Sequence, residues 1–553
     1  MLHFAILRTA GEVDAAVREV LDAPRPPTRR VGGEHLFRLV GEGTAIALWS
    51  DYGRPWASDD EGVTAMVGSP RLIGTGAEDL LDRLAVDGPG GARRFDGRFT
   101  VLRLESDGGG WLRSDRFGLS PVYRGMAGET EVLSNRPAIV ARLIEAAAGR
   151  RVARDRATAM SVAVLGTALG DESGFEGICR VPDRHDVDLP TRGPSADVET
   201  WPHMWADDGA AIDGSPVEIV TAVTDRLVAS ARQLALDHGG VIDAELTGGR
   251  DSRLMLALFR LAGVEDRVRF HTFGDPGASD ARVARYLAES FDLDWEMRRA
   301  RQHELSVEGF VRRVSNLSGE FGAGGIIPPE AGTILCSGML GEALSAKYRN
   351  SKPATVGRAT ARLKEILVRS QPFTKRSTVR AVMSRVTEGV VESADAGCPP
   401  RALLDAFYLR ERERRWIGSR PDRWDRNVFP LYSPDAIIAN MRLPVDDRHG
   451  ERIHSAIIAA AGLPNGNPDE ELPRAPDAPP LADLGGLRWA DVLVEMAHET
   501  RASPMSECID TRAVVRAAEN LAGLGRVERQ QLLDALTALA WMTPGLIPAY
   551  FDN

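Results

Sequence analysis

Within six residues, Thr247-Gly248-Gly249-Arg250-Asp251-Ser252 collects two glycines, two hydroxyls, a cation and a carboxylate. Adjacent glycines let the backbone turn tightly and bring its N–H groups close to an anion, and the hydroxyls of Thr247 and Ser252 add donors. The chemistry suggested is phosphate binding. It is not the Gly-x-x-x-x-Gly-Lys-Ser/Thr loop, because there is no lysine and the spacing differs. The same six residues also describe an ordinary glycine turn between a buried strand and a helix.

The elements that must position this loop can be read from hydrophobic pattern. Residues 241–246 are a strand, and the helix that follows runs through Leu254, Leu256, Leu258 and Phe259, with its positive end toward the same anion. Residues 217–236 are an amphipathic helix leading into that strand. A second strand is read at 267–274, a helix from Ser279-Asp280-Ala281 with Asp280 as its cap, and a third strand at 333–337. Strands alternating with helices predict a doubly wound parallel sheet, which binds ligands at the carboxyl ends of its strands.

In front of this unit, residues 1 to about 195 read as a β-rich α+β domain, with short apolar runs at 37–40, 45–49, 99–104 and 131–134 separated by turn signals such as Asp107-Gly108-Gly109-Gly110. A polar, proline-containing linker spans 190–216. Beyond residue 355 the pattern is helical, at 360–370, 377–393, 402–417 and from 483 onward. The run Arg410-Glu411-Arg412-Glu413-Arg414-Arg415 reads as a solvated helix face with local ion pairs; phosphate contact by one of its arginines is the other reading. Residues 463–480, rich in Pro and Asp, read as a loop over the site.

At 553 residues the chain exceeds one ordinary core, so at least two domains are expected, divided as 1–195 and 196–553. A net charge of -11 argues against a general nucleic-acid partner. Cys179, Cys336, Cys398 and Cys508 form no Cys-x-x-Cys pair, which argues against a zinc site or a disulfide framework. No apolar run suits a secretory signal or a membrane span, so the expectation is a cytoplasmic protein without a membrane partner.

The glycine loop resembles the PP-loop, Ser-Gly-Gly-x-Asp-Ser, of ATP pyrophosphatases, and the long preceding chain resembles the asparagine synthetase superfamily. Thr247 stands for the usual serine and Arg250 for an apolar residue. Phe95-Asp96-Gly97-Arg98-Phe99, Asp115-Arg116-Phe117-Gly118 and Leu133-Ser134-Asn135-Arg136 are similar to three consecutive segments of that family's Ntn-type glutamine amidotransferase domain, and Gly174 to Pro182 to the segment closing it. The Asp115–Gly118 stretch is read as a tight turn in which Arg116 pairs with Asp115 or caps the turn. A working domain of that type exposes an N-terminal cysteine; here the residue is Leu2, so the resemblance implies a retained fold without glutaminase activity.

Further on, Gly338-Met339-Leu340-Gly341-Glu342, followed by Tyr348, is similar to the family's second signature, and Glu342 falls where the family has a magnesium-binding Asp. The resemblance implies that ATP is held by Leu246, Thr247, Gly248, Gly249, Arg250, Asp251, Ser252 and Gly338, with His271 and Phe273 at the end of the second strand beside adenine. It implies Mg²⁺ on Asp251 and Glu342. A packed core histidine and a solvated loop glutamate are the plainer readings of His271 and Glu342. Met339 stands where relatives have a glutamate, or a tyrosine that helps deprotonate an amine, and it cannot accept a proton. Glu320 is a candidate base. The family's C-terminal lysine is missing, since no lysine follows Lys375; Arg474 and Lys347 are candidates for its role.

Taken together, the resemblance implies an ATP-dependent, AMP-forming amide synthetase acting on a peptide or a small amino acid, with other proteins of one biosynthetic pathway as partners. Lasso peptide macrolactam cyclase is the favoured branch. A β-lactam-type or intermolecular amide synthetase is the alternative, and a non-catalytic nucleotide-binding partner is the alternative from a different class.

Overall fold

The computed structural model describes residues 2–23, 34–41, 43–50, 56–69, 71, 81, 95–199, 214–274, 276–298, 306–308, 310–311, 314, 333–348, 352–368, 371–418, 427–466 and 488–546. It is a mixed α/β chain, with antiparallel sheets first and a parallel sheet with helices after them.

The β-rich part is built from β1 (Leu2–Arg8), β2 (Glu34–Val40), β3 (Thr44–Ser50), β4 (Trp56–Ser58), β5 (Gly62–Gly68) and β6 (Phe99–Glu105). It continues through β7 (Gly110–Ser114), β8 (Tyr123–Ala127), β9 (Thr130–Ser134), β10 (Ile178–Arg180), β11 (His185–Leu189) and β12 (Ala196–Glu199). They form two antiparallel sheets, ordered β10-β8-β9-β1-β3-β2 and β12-β11-β7-β6-β5-β4. Strand alternation sorts the side chains. Phe4 and Ile6 of β1 pack with Ile46, Leu48, Leu102 and Leu133 in one core. Ala5 and Leu7 face the other way, toward the helix Pro137–Ala148. That second layer also takes in the end of the described chain: Met496, Leu536 and Trp541, on the helices Arg488–Glu499 and Arg526–Met542, share its core.

The parallel sheet is ordered β15 (Trp295–Arg298), β14 (Val268–Phe273), β13 (Val241–Glu245), β16 (Thr333–Cys336), β17 (Asn427–Val428), every neighbour parallel. The helix Pro216–Asp237, opened by a capping box of Ser215 and Glu218, feeds β13. The helix Arg250–Ala262 leaves it and is buried along Leu254 to Phe259. One correction concerns the next helix, Ser279–Phe291: Ala278 is its N-cap, and Asp280 lies in the first turn without a capping bond.

Two readings of charged residues are corrected where the parts meet. The run at 410–415 is not a solvated face: Glu411, Glu413, Arg414 and Arg415 are buried. Arg414 donates to Asp171 Oδ1 at 2.9 Å and to the Val181 carbonyl at 2.8 Å, while Arg415 donates to the Glu172 carbonyl at 2.7 Å. These acceptors come from the β-rich part, so the helix is a seam between the parts. Arg116, in turn, does not pair with Asp115. It reaches Asp435 at 3.9 Å, while Asp115 accepts the N–H groups of Leu119 and Ser120 at 3.0 and 2.8 Å.

Candidate functional site

Strand order in the parallel sheet reverses between β13 and β16, and a crevice opens at such a switch point. Both glycine-bearing segments emerge there. Leu246 is buried, and its N–H donates to the His271 carbonyl at 2.8 Å. The Ser252 Oγ accepts from Thr247 N at 3.1 Å and lies 3.0 Å from the carbonyls of Thr247 and Gly249. Thr247 Oγ1 accepts from Gly249 N at 3.0 Å. The two hydroxyls therefore fix the shape of the loop itself. Gly249 caps the helix with no side-chain bond, which leaves the first-turn N–H groups to an outside acceptor. Gly248 is close-packed: a Cβ there would meet Asp280 Oδ1 at 3.0 Å.

From β16, the chain returns against this loop. A Cβ on Gly338 would lie 2.9 Å from the backbone of Asp251 and Ser252, and one on Gly341 would lie 2.4 Å from Asp251 Oδ1. Leu340, buried between them, has φ 71°, an uncommon conformation for a branched side chain. The segment is held by Asn440, which donates to the carbonyls of Ala343 and Ser345, both at 3.0 Å. Asp251 and Glu342 thus sit on touching segments, with side chains 33% and 29% exposed.

Glu342 has company. Lys347 Nζ is 2.8 Å from its Oε1, the Tyr408 hydroxyl donates to the same oxygen at 3.5 Å, and the ammonium also lies 5.0 Å from the centre of the Tyr408 ring. Tyr408 opens a π-helical turn, Tyr408–Glu413, that brings Glu413 into the same cluster. Glu413 is buried, and burial together with the Glu342 carboxylate pushes its carboxyl up to about 7.

Three residues that sequence reasoning missed complete the loop's surroundings. Glu451 pairs with Arg250, whose Nη2 also donates to Ser455 Oγ at 3.0 Å, and His454 Nε2 lies 3.0 Å from Asp251 Oδ1. Arg250 is therefore engaged by the 451–455 segment. Nothing in the sequence links positions two hundred residues apart. The helix Arg452–Ala460 lies between the helical stretches read from the sequence, and neither it nor its partners are among those readings.

On the second strand, His271 is wholly buried, with Nδ1 2.9 Å from Asp243 Oδ1 and its ring edge-on to Phe273 at 4.8 Å. Phe273 is partly exposed at the strand end. Arg298 reaches Asp243 from β15 at 2.6 Å. Burial raises the Asp243 carboxyl, but the His271 hydrogen bond and the Arg298 contacts outweigh it and bring it down to about 2. Glu320 and Arg474 lie outside the described residues.

Among the described residues no cluster of three or more His, Cys, Asp or Glu side chains could hold a metal. Two carboxylates fit a hard dication that takes the rest of its ligands from phosphates and water. In the β-rich part, Leu2 pairs with Ser50 in the sheet, and Cys179 is exposed on the edge strand β10, with β8 and β9 between it and β1. No described helix is long and apolar enough to cross a membrane.

No family model matches the chain, and no curated protein does. Among solved structures it is similar to the glutamine phosphoribosylpyrophosphate amidotransferase from B. subtilis complexed with ADP and GMP, at 13% identity and a TM-score of 0.19. That match covers 53% of this chain and 59% of the other, less than two thirds of it. A second similar structure is described as the allosteric regulatory enzyme of purine biosynthesis, at 9% identity over 69% of this chain and 78% of that one, with a TM-score of 0.23. Superpositions this loose carry no argument about activity.

Proposed function

We propose that the chain is an ATP-dependent, AMP-forming amide synthetase, in which a carboxylate is adenylated and then closed on an amine. One observation supports this reading above the others: the 246–252 loop and the 338–342 segment meet at the crevice where the strand order reverses, with Gly341 against Asp251. An anion-binding helix start beside two carboxylates suits a nucleotide that carries its own dication.

In this reading the N–H groups opening the helix Arg250–Ala262 hold the pyrophosphate, and the segment from Gly338 forms the wall opposite. Asp251 and Glu342 would hold Mg²⁺, which neutralises phosphate charge when bound. Lys347 sets a positive charge beside Glu342, where charge grows at phosphorus and at the acyl oxygen. The amine adds to the acyl carbon of the adenylate, AMP leaves with the bonding pair, and the amine gives up a proton. The amine in this reading belongs to the substrate itself rather than coming as ammonia from glutamine.

A peptide closed through a side-chain carboxylate onto its own N-terminal amine, a lasso-type macrolactam, is the substrate class we favour. A small amino acid derivative is the alternative. The test is pyrophosphate and AMP release from ATP with candidate peptides and small amino acids, followed by mass spectrometry. AMP together with a peptide lighter by one water supports the cyclase. ATP that binds but is never split to AMP with any carboxylate sinks the reading in favour of a non-catalytic nucleotide-binding protein.

A further inference from the structure

We infer that His454 is a positioning residue for Asp251, and that the segment Glu451 to Ser455 is a second wall of the loop that sets how its acidic residue meets a cation. The inference rests on the adenylation reading in one respect: the cation is the Mg²⁺ that accompanies ATP.

Three contacts converge from one short stretch onto two consecutive loop residues. Glu451 and Ser455 hold the Arg250 guanidinium, and His454 holds Asp251. His454 has no exposed surface. Its Nδ1 is buried without a hydrogen-bond partner, so the ring is kept inside for the one bond that Nε2 makes. A carboxylate can only accept, which puts the ring proton on Nε2.

The bond selects between the two Asp251 oxygens. Oδ1 is closed off by the His454 N–H on one side and the backbone of Gly341 on the other. Among the described residues Oδ2 has no hydrogen-bond partner, and it is the oxygen left to a cation. Both segments that touch Asp251 also contain a non-glycine residue in the left-handed region, Leu340 at φ 71° and Glu451 at φ 52°. Such conformations persist where the surroundings over-determine them, and they gather at ligand sites. Outer partners of this kind orient a metal ligand, and removing them typically weakens metal binding about 10- to 100-fold.

The test is calorimetric binding of ATP to the full chain with and without Mg²⁺, for wild type, His454→Phe and His454→Gln, with thermal unfolding of each. His454→Phe fills the space without a donor, and glutamine offers an N–H at similar reach. The expected result is that Mg²⁺-dependent tightening of ATP binding falls about 10- to 100-fold in H454F and is largely restored in H454Q, with metal-free ATP affinity the same in all three. The inference is overturned if H454F keeps the wild-type Mg²⁺ dependence, or if metal-free and Mg²⁺-dependent binding fall together in step with lower thermal stability. Wild type that shows no Mg²⁺-dependent ATP binding overturns the adenylation reading itself and this inference with it.

Discussion

The Tyr432 hydroxyl donates to Asp115 Oδ1 at 2.6 Å, joining a turn of the β-rich part to the segment that follows β17 of the parallel sheet. Both side chains are buried, and burial pushes the Asp115 carboxyl and the Tyr432 phenol upward. Deleting the hydroxyl leaves Asp115, among the described residues, with the N–H groups of Leu119 and Ser120 as its donors. Tyr432→Phe is expected to cost about 1.5–3 kcal/mol, as for other buried bonds to a charged group, in chemical denaturation. An unchanged midpoint would show that the two parts do not depend on this bond.

A larger loss is expected at the arginine seam. Arg414→Met removes the ion pair with Asp171 and the donor to Val181 in one step. The expected cost is about 3 kcal/mol, the low end for a broken buried pair because Asp171 is partly exposed. Asp171→Asn should cost less than half of that. Urea unfolding of the two variants checks the order.

Acid stability follows from Asp243. Its carboxyl is depressed in the folded state to about 2 from an ordinary 3.8. The stabilisation is fully present above pH 3.8 and is lost as pH falls through about 2. Arg298→Met takes away one of the two groups that depress it, so acid unfolding should begin at higher pH than in wild type. A pH midpoint that does not move would mean that His271 alone suffices.

Glu413 has the opposite sign. Its carboxyl is raised from 4.5 to about 7, so its favourable contribution is complete below pH 4.5 and fades as pH rises to about 7. Glu413→Gln stays neutral throughout. In metal-free buffer the variant should gain on wild type across that window, by roughly 3 kcal/mol in total at 1.36 kcal/mol per pH unit. A stability difference that is flat with pH would refute the assignment.

Space, not charge, is the issue at Gly341. A methyl group there would overlap the Asp251 side chain, meeting its Oδ1 at 2.4 Å, Cγ at 2.5 Å and Cβ at 2.7 Å. Gly341→Ala is expected to displace the Asp251 carboxylate and abolish Mg²⁺-dependent ATP binding while lowering the unfolding temperature by no more than a few degrees. Retained Mg²⁺ dependence in that variant would show that the carboxylate does not need its present position.

Much of the architecture is legible in the sequence, for local reasons. Strands β2, β3, β6 and β9 carry apolar runs bounded by turns, and β13, β14 and β16 alternate with helices, so each is marked by its own residues. β17 is two residues long and carries no period at all. The glycine loop can be picked out from its residue types, and Glu342 through the resemblance that aligns on Gly338 and Tyr348. His454 cannot: in Arg452-Ile453-His454-Ser455-Ala456 it looks like any residue of an amphipathic helix, and its partner is 203 positions away. The alternating charges of 410–415 misled for a related reason. A charged helix face that meets backbone carbonyls has the same spelling as one that meets water.

The core that Trp541 joins has a consequence for how the molecule is made. Its indole packs edge-on against Phe175 at 5.5 Å and donates to the Gly174 carbonyl at 3.2 Å. While a ribosome is still adding the segments that carry the glycine loop and Glu342, the helix Arg156–Leu165 waits with its apolar flank uncovered, since its cover is the helix Arg526–Met542. The helix Arg156–Leu165 is thus made long before the helix that covers it, and its apolar flank is a surface for a chaperone to guard in the interval.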